Sequence, residues 1–408
     1  MSLAGRLTFL AVVLLVLLLM HRYAWVRLVR DTAVPRAARR VLLAVFVALY
    51  LSLPATFLSL RGVLVEQPRW LPLLAFVWLG LLFNLLVLCL ALDAARLVAW
   101  LARRWRAEPQ RHAAADLSSP SAGAGAAAPL EISRRELLTR ASAGLVVAGA
   151  GGASLAGWRA AGELTLPEVP VRLARLPRAL DGLRVVQLSD LHLGLLLDGR
   201  FLRDVVEKAN AQRPDLVVIT GDLVDGTVAT LGPELAALSG LRSRFGTFFI
   251  TGNHEYYSGA DAWVAWLRAR GVRVLLNERA EVGDGGGLLD VAGVTDWRGG
   301  HGLPGHAPDL SRALAGRDTD RELLLLAHQP KHVDEAAAHG VGLQLSGHTH
   351  GGQMWPFGSL VHLVQPYVSG LHRHGARTQI YVSRGTGFWG PPMRLAAPAE
   401  ITSLILTT

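Results

Sequence analysis

The sequence predicts N-terminal transmembrane α-helices followed by an α/β domain. Two observations carry that prediction. Long apolar stretches fill the first hundred positions, whereas of the 14 histidines only His21 and His112 precede residue 190. In the second half, short apolar runs repeatedly stop at clusters of Asp, Asn, His and Gly. Hydrophobic residues make up 51% of the 408, and their uneven spread argues against a uniformly soluble chain.

Three apolar stretches run roughly from Leu7 to Met20, Val41 to Leu60 and Leu71 to Leu92, and a bilayer crossing takes about 20 residues. The first is short enough for a signal-peptide core, but the basic "HRYAWVRLVR" that follows and the lack of an obvious small-residue cleavage site favour an uncleaved helix. Together they form a membrane domain over residues 1–106. The loop after the first stretch holds Arg22, Arg27, Arg30, Arg36, Arg39 and Arg40, and the next loop only Arg61 and Arg69. Arg96, Arg103, Arg104, Arg106 and Arg111 follow the third stretch. Cytoplasmic loops carry the Lys/Arg excess, so the first loop and the region after the third stretch are expected inside, and the N-terminus outside.

Residues 107–132, with "SSPSAGAGAAAP", have the composition of a flexible cytoplasmic linker. Over 133–160, "SRRELLTR" precedes a mildly apolar, Ala/Gly-rich run. Arg134 and Arg135 followed by such a run resemble a twin-arginine export signal, and the basic flank of an ordinary fourth helix is the other reading. Both give a fourth crossing from inside to outside. The expected protein is therefore multi-pass in the cell membrane, with residues 165–408 extracytoplasmic. The formal net charge of +9 gathers beside the apolar segments, which reads as membrane topology and not as a nucleic-acid surface. The single cysteine, Cys89, excludes a disulfide framework and a cysteine-based zinc site. The three N-terminal stretches hold almost no internal charge apart from Asp93 at one end, so no ion pathway of a transporter is visible.

From Leu164 onward about 245 residues suffice for one sizeable domain. Here "LRVVQL" ends in "SDLHLG", "DLVVIT" in "GDLVDG", "TFFIT" in "GNHE", "LLLLA" in "HQP" and "VGLQL" in "SGHTHGG". Each apolar run has the length and composition of a buried strand, and helical patterns such as Phe201–Gln212 and Asp261–Arg270 lie between some of them. Open α/β sheets place ligands at the C-terminal ends of their strands. The polar residues there are Asp190, His192, Asp222, Asp225, Asn253, His254, His328, His348 and His350. Carboxylate, imidazole and amide oxygen suit divalent metals such as Mn²⁺, Fe or Zn²⁺. In Asp-x-His and His-x-His, residues i and i+2 at a strand end point to one side. Seven strong candidates exceed the needs of one four-coordinate ion, and two ions about 3.5–4 Å apart sharing a carboxylate would use them all. A single ion would leave buried polar groups without partners. His301 and His306, in the glycine-rich "RGGHGLPGH", have two readings, contact with phosphate and a solvated loop, of which the loop is favoured.

As a set these motifs resemble the calcineurin-like metallophosphoesterases. The family pattern is D-x-H, G-D-x-x-D, G-N-H-E/D, a lone His and G-H-x-H, present here in order as "DLH", "GDLVD", "GNHE", "AHQP" and "GHTH" over about residues 183 to 390. The tail "YVSRGTGFWGPPMRL" resembles the bacterial membrane-associated branch, some members of which are exported by the twin-arginine route. The resemblance implies two mixed β-sheets sandwiched by helices over 165–408. It implies one divalent ion on Asp190, His192, Asp222 and His350, and a second on Asp222, Asn253, His328 and His348, with Asp222 bridging. His254 would face the phosphate and protonate the leaving oxygen, and Asp225 would orient a ligand. The chemistry implied is phosphodiester or pyrophosphate hydrolysis by a metal-bridged hydroxide. A phosphate ester, with a lipid-linked one fitting the membrane tether, is the expected substrate. The alternative is a membrane-anchored sensor or scaffold that uses the fold only to bind ligand; loss of metal ligands would mark it, and none is lost. Oligomeric state has no signature in the sequence.

Overall fold

The computed structural model describes residues 3–60, 68–107, 133–301 and 303–408, so the expected linker, apart from Ala107, lies outside the described residues. The chain divides into two compact units, residues 1–67 with 74–155, and residues 68–73 with 156–408.

The first unit is helical. It contains α1 (Leu3–Trp25), continued by a π-helical turn over Val26–Arg30, α2 (Arg36–Leu60), α3 (Trp70–Ala107) and most of α4 (Arg134–Ala161). Among the described residues, four helices are long and apolar enough to cross a membrane. They overrun the apolar stretches, because backbone hydrogen bonding does not stop where apolar side chains do. The 38 residues of α3 span about 57 Å at 1.5 Å per residue, well beyond a hydrocarbon core of about 30 Å. Leu17, Leu53, Trp78, Leu82, Val146 and Ala150 share one buried cluster. Polar groups inside such a bundle need partners. Trp78 Nε1 donates to His21 Nε2 at 2.9 Å and Asn84 Nδ2 to Ser154 Oγ at 2.9 Å. Asp93 accepts from Tyr23 at 2.6 Å and pairs with Arg27 at 2.5 Å and Arg96 at 3.6 Å.

The second unit begins with β1 (Leu164–Thr165), β2 (Glu168–Arg172), β3 (Leu183–Leu188), α5 (Gly199–Ala211), β4 (Leu216–Ile219), α6 (Val228–Leu231), β5 (Thr247–Phe249), α7 (Asn253–Ser258), α8 (Ala260–Arg268) and β6 (Arg273–Val274). It continues through the hairpin β7 (Glu278–Asp284) and β8 (Gly287–Gly293), then α9 (Leu310–Ala313), β9 (Leu323–Leu326), α10 (Val333–Ala338), β10 (Leu343–Ser346), α11 (Gly358–Val361), β11 (Gly370–His374), β12 (Thr378–Val382), β13 (Ala399–Glu400) and β14 (Thr402–Thr407).

The strands build two six-stranded sheets, ordered β2-β14-β3-β4-β5-β6 and β11-β12-β10-β9-β8-β7. Both are mixed. In the first, β3 to β6 run parallel and β14 lies antiparallel to β3 and parallel to β2. In the second, β8, β9, β10 and β12 run parallel, with β7 and β11 antiparallel at the edges.

The continuous apolar runs follow from burial on both faces. On β9, Leu324 and Leu326 join Val185, Val218 and Phe248 between the sheets. Leu323 and Leu325 turn the other way, against Leu310, Ala313 and Ala336 from α9 and α10. The outer face of the first sheet, Val186 and Leu188 on β3, packs on Leu202, Val205, Trp263 and Leu267 from α5 and α8. Helices thus sandwich two mixed sheets.

This packing sets one expectation. Leu324→Ala will destabilise the domain by about 2–5 kcal/mol through transfer and cavity terms. Leu363→Ala, at a side chain 79% exposed, will stay within about 0.5 kcal/mol. Pulse proteolysis of the detergent-solubilised chain across a urea series measures both.

Candidate metal centre

The C-terminal ends of β3, β4 and β5 in one sheet and β9 and β10 in the other feed a single polar cluster. Asp190 and His192 follow β3, Asp222 and Asp225 follow β4, and Asn253 and His254 open α7 after β5. His328 follows β9, and His348 and His350 follow β10.

The side chains converge in three groups, Asp190/His192/His350, His192/Asp225/His254 and Asp222/His328/His348, each with its ligand atoms within 4.8 Å of one another. His192 and His350 point their Nε2 atoms at each other, 3.1 Å apart. His350 Nε2 is 3.5 Å from Asp190 Oδ1, and His192 Nε2 is 3.9 Å from Asp222 Oδ2. On the other side, His328 Nε2 lies 3.2 Å from Asp222 Oδ2 without hydrogen-bond geometry.

The side-by-side presentation of Asp190 with His192, and of His348 with His350, has a different origin from the one expected. β3 stops at Leu188 and β10 at Ser346, short of both pairs, so strand pleating does not aim them. Asp190, His192, Asp222, His348 and His350 instead adopt left-handed backbone angles, with φ of 52°, 47°, 51°, 70° and 51°. Such residues cost about 1–3 kcal/mol each and persist only where their surroundings enforce them.

Hydrogen bonds supply that enforcement. The loops after β3 and β4 are stitched by Asp190 N to Gly221 O (3.0 Å), His192 N to Asp222 O (3.1 Å) and Leu193 N to Leu223 O (3.0 Å). His348 N donates to both oxygens of Asp190 at 3.0 Å. The His328 ring is fixed through Nδ1 against Thr220 O at 2.7 Å.

A calcineurin-like phosphoesterase family model matches residues 183–352, which contain all nine of these side chains. A zebrafish "transmembrane protein with metallophosphoesterase domain" is 32% identical over 99% of this chain and 90% of its own length. The chain belongs to the calcineurin-like phosphoesterase family. A bovine protein of the same description is 36% identical over 90% of this chain and 80% of its own. An uncharacterized metallophosphoesterase of Helicobacter pylori is 40% identical over 59% of this chain and 63% of its own length; the chain thus spans under two thirds of that bacterial relative. The chain carries a calcineurin-like phosphoesterase domain, and its long apolar helices associate it with a membrane.

In this calcineurin-like domain the donor set fits divalent cations on two structural grounds. His328 Nε2 and Asn253 Oδ1 are buried without a hydrogen-bond partner, and an orphaned buried polar atom is costly unless something else binds it. The 3.1 Å approach of two imidazole nitrogens also matches the roughly 3 Å that separates two donors on one ion at about 2.0–2.1 Å from each.

Around these donors sits a ring of supporting groups. Asp225 accepts from His192 Nδ1 at 3.2 Å and bonds His254 Nδ1, so one carboxylate orients two imidazoles. Burial opposes a charge on His254, but Asp222 and Asp225 raise its pKa to about 9. Burial dominates at His348, pulling it down to about 3. His306 engages Tyr256 and Asp261, at 3.1 and 3.3 Å, and the side chain of His301 lies outside the described residues.

Two further contributors escaped the sequence reading. Glu255 is buried, and its carboxylate accepts from Asp222 N (3.0 Å), Leu223 N (2.8 Å) and Gly252 N (2.6 Å). Its place after "GNH" was the available signal. Arg394 is buried among the carbonyls of Gly385, Gly387, Ala397 and His350, with Nη2 3.5 Å from His350 Nδ1. An arginine in "PPMRL" without an acidic neighbour offers no comparable signal.

Gly347 and Gly252 mark how tightly the loops close. A Cβ on Gly347 would collide with Ser189 Oγ and Asp190 Oδ2, and one on Gly252 with the Asp222 carboxylate. Gly347→Ala is therefore expected to bind metal at least tenfold more weakly, comparable to the about 10–100-fold loss on removing a ligand's supporting partner. Gly144→Ala, where a Cβ meets nothing within 4 Å, will leave metal content unchanged. Elemental analysis of the purified full chain after metal titration reads both.

Proposed function

We propose that this protein hydrolyses phosphodiester or pyrophosphate bonds at the outer face of the cytoplasmic membrane, on substrates that include lipid-linked phosphate esters. The convergence of Asp190/His192/His350 and Asp222/His328/His348 into one cluster is the observation that carries this reading. One divalent ion would be held by Asp190, His192, Asp222 and His350, and a second by Asp222, Asn253, His328 and His348. The donors suit Mn²⁺, Fe or Zn²⁺. When bound, such a pair lowers the pKa of a water and neutralises phosphate charge.

The chain's own residues do the rest. Asp225 fixes His254 through Nδ1, leaving Nε2, 4.0 Å from Asp222 Oδ2, to deliver a proton to the leaving oxygen. His254 N donates to Asp222 Oδ1 at 2.8 Å, which ties the proton donor to the carboxylate that would be shared by the two ions. Arg394 holds the backbone of His350 in place. Phosphoryl transfer needs mainly positioning and charge stabilisation, so no nucleophilic side chain is required.

Asp190, Asp222 and the histidines follow α4 in the chain, so a fourth crossing would put them outside. Arg134 and Arg135 sit at the start of α4, an arrangement that serves a twin-arginine export motif and an ordinary basic flank alike.

Hydrolysis of bis-p-nitrophenyl phosphate and p-nitrophenyl phosphate by the full chain with added Mn²⁺ or Zn²⁺ tests the chemistry. Asp222→Asn should bring turnover down to that of chelator-treated protein, and His254→Ala should lower kcat by about 10²–10⁴ with metal content retained. Wild-type turnover no faster than that of Asp222→Asn would refute the proposal. For topology, a reporter active only outside the cytoplasm, fused after Thr408, is expected to be active; an inactive fusion places the domain inside.

A further inference from the structure

The second unit exposes an apolar surface beside the point where its chain leaves α4. Between the metal-centre loop and β11, Trp355, Leu360, Leu363 and Val364 are 66%, 56%, 79% and 74% exposed, and Phe357 is half-exposed. Large apolar side chains scattered singly over a surface are ordinary, but a cluster of this kind marks an interaction site. These five fall within ten residues, on the short helix α11 and its flanks.

The position of the cluster names its partner. Gly157, in the last turns of α4, accepts from Arg394 N at 2.9 Å, and Trp355 N in turn donates to Leu395 O at 3.0 Å. A Cβ on Gly157 would touch Met393 and Leu395. The apolar segment is thus two hydrogen bonds from a helix apolar enough to cross a bilayer. Charge agrees with an anionic surface. From Gly351 to Ala399 the sequence holds no Asp or Glu, and Arg373 and Arg377, on the hairpin that follows the segment, are exposed. Aromatic and aliphatic side chains at such a boundary settle at the headgroup level, and nearby basic residues add attraction to anionic lipid.

We propose that Trp355–Val364 is a membrane-docking segment that enters the headgroup layer of the bilayer crossed by α4. It rests on the reading that α4 crosses the bilayer. Docking holds the metal centre at the lipid surface, because the same loop carries His350 and because Gln353 Nε2, just ahead of Trp355, donates to Trp389 O at 3.0 Å. Trp389 packs edge-on to His254, with ring centroids 5.6 Å apart. The site is thereby suited to phosphoesters carried in the membrane.

Nitroxide labels report the depth of single sites. In a Cys89→Ala background, the full chain carries Leu363→Cys, Val364→Cys, Leu145→Cys on an exposed face of α4, or Glu207→Cys on α5. It is reconstituted in phosphatidylethanolamine–phosphatidylglycerol vesicles, and power saturation compares collisions with oxygen and with a water-soluble nickel chelate. Positions 363 and 364 should favour oxygen, as 145 does, while 207 favours the chelate. Labels at 363 and 364 as water-accessible as 207, with 145 in lipid, overturn the docking alone. A water-accessible label at 145 overturns the crossing and the docking with it. Spin–spin broadening at 363 that unlabelled protein abolishes would assign the surface to a second copy of the chain and likewise overturn the proposal.

Discussion

Asp222 is the joint on which the catalytic domain turns. Its carbonyl accepts from His192 N at 3.1 Å, its amide donates to Glu255 at 3.0 Å, and its carboxylate receives His254 N at 2.8 Å while facing His328 Nε2 at 3.2 Å. One residue therefore fixes the loops after β3 and β5 and meets the loop after β9. Its left-handed backbone, φ 51°, is held by these contacts together with Glu255, a carboxylate spent wholly on backbone amides. Burial, followed by repulsion from Asp222, lifts the pKa of Glu255 to about 7. The same burial acts on Asp222, yet the surrounding imidazoles, His328 foremost, keep its carboxylate well below the ordinary range.

The cluster also depends on the stacking of the sheets. Asp190, Asp222 and Asn253 follow strands of one sheet, and His328, His348 and His350 follow strands of the other. Two of the three converging groups, Asp190/His192/His350 and Asp222/His328/His348, draw their members from both sheets. The leucines of β9 and the valines of β3 and β4 that fill the space between the sheets therefore set the spacing of the polar groups at their ends. Stability and ligand binding are linked in such an arrangement, because whatever binds the assembled cluster and not the unfolded chain stabilises the fold.

Much of this was legible in the sequence because burial on two faces writes continuous apolar runs. "LRVVQL", "DLVVIT", "TFFIT", "LLLLA" and "VGLQL" became β3, β4, β5, β9 and β10. The polar clusters that stop them were equally plain, since Asp, Asn and His beside glycine have no packing role at a strand end. Less visible were β7 and β8, whose "ERAEVGD" and "GLLDVAG" carry charges and glycines suited to an edge hairpin. Strand β14 is paired with residues more than two hundred positions earlier, which no local pattern announces. Glu255 and Arg394 act through backbone groups, and the identity of a residue says little about which carbonyl or amide it will meet. The left-handed geometry of the donors was hidden for a similar reason: glycine advertises it, but Asp and His do not.

The position of β14 has a consequence for how the domain comes into being. This strand, residues 402–407, lies in register between β2 and β3, whose residues are made more than two hundred positions earlier. While the chain is being synthesised, the edge of β3 that β14 will cover presents open amides and carbonyls beside a finished run of parallel strands. The first sheet cannot close before residues 402–407 are available to fill the gap between β2 and β3. Until then the exposed edge is a place where a neighbouring nascent chain or a chaperone can pair. Residues 402–407 are thus the piece that completes the first sheet, although they lie far in sequence from both strands they join.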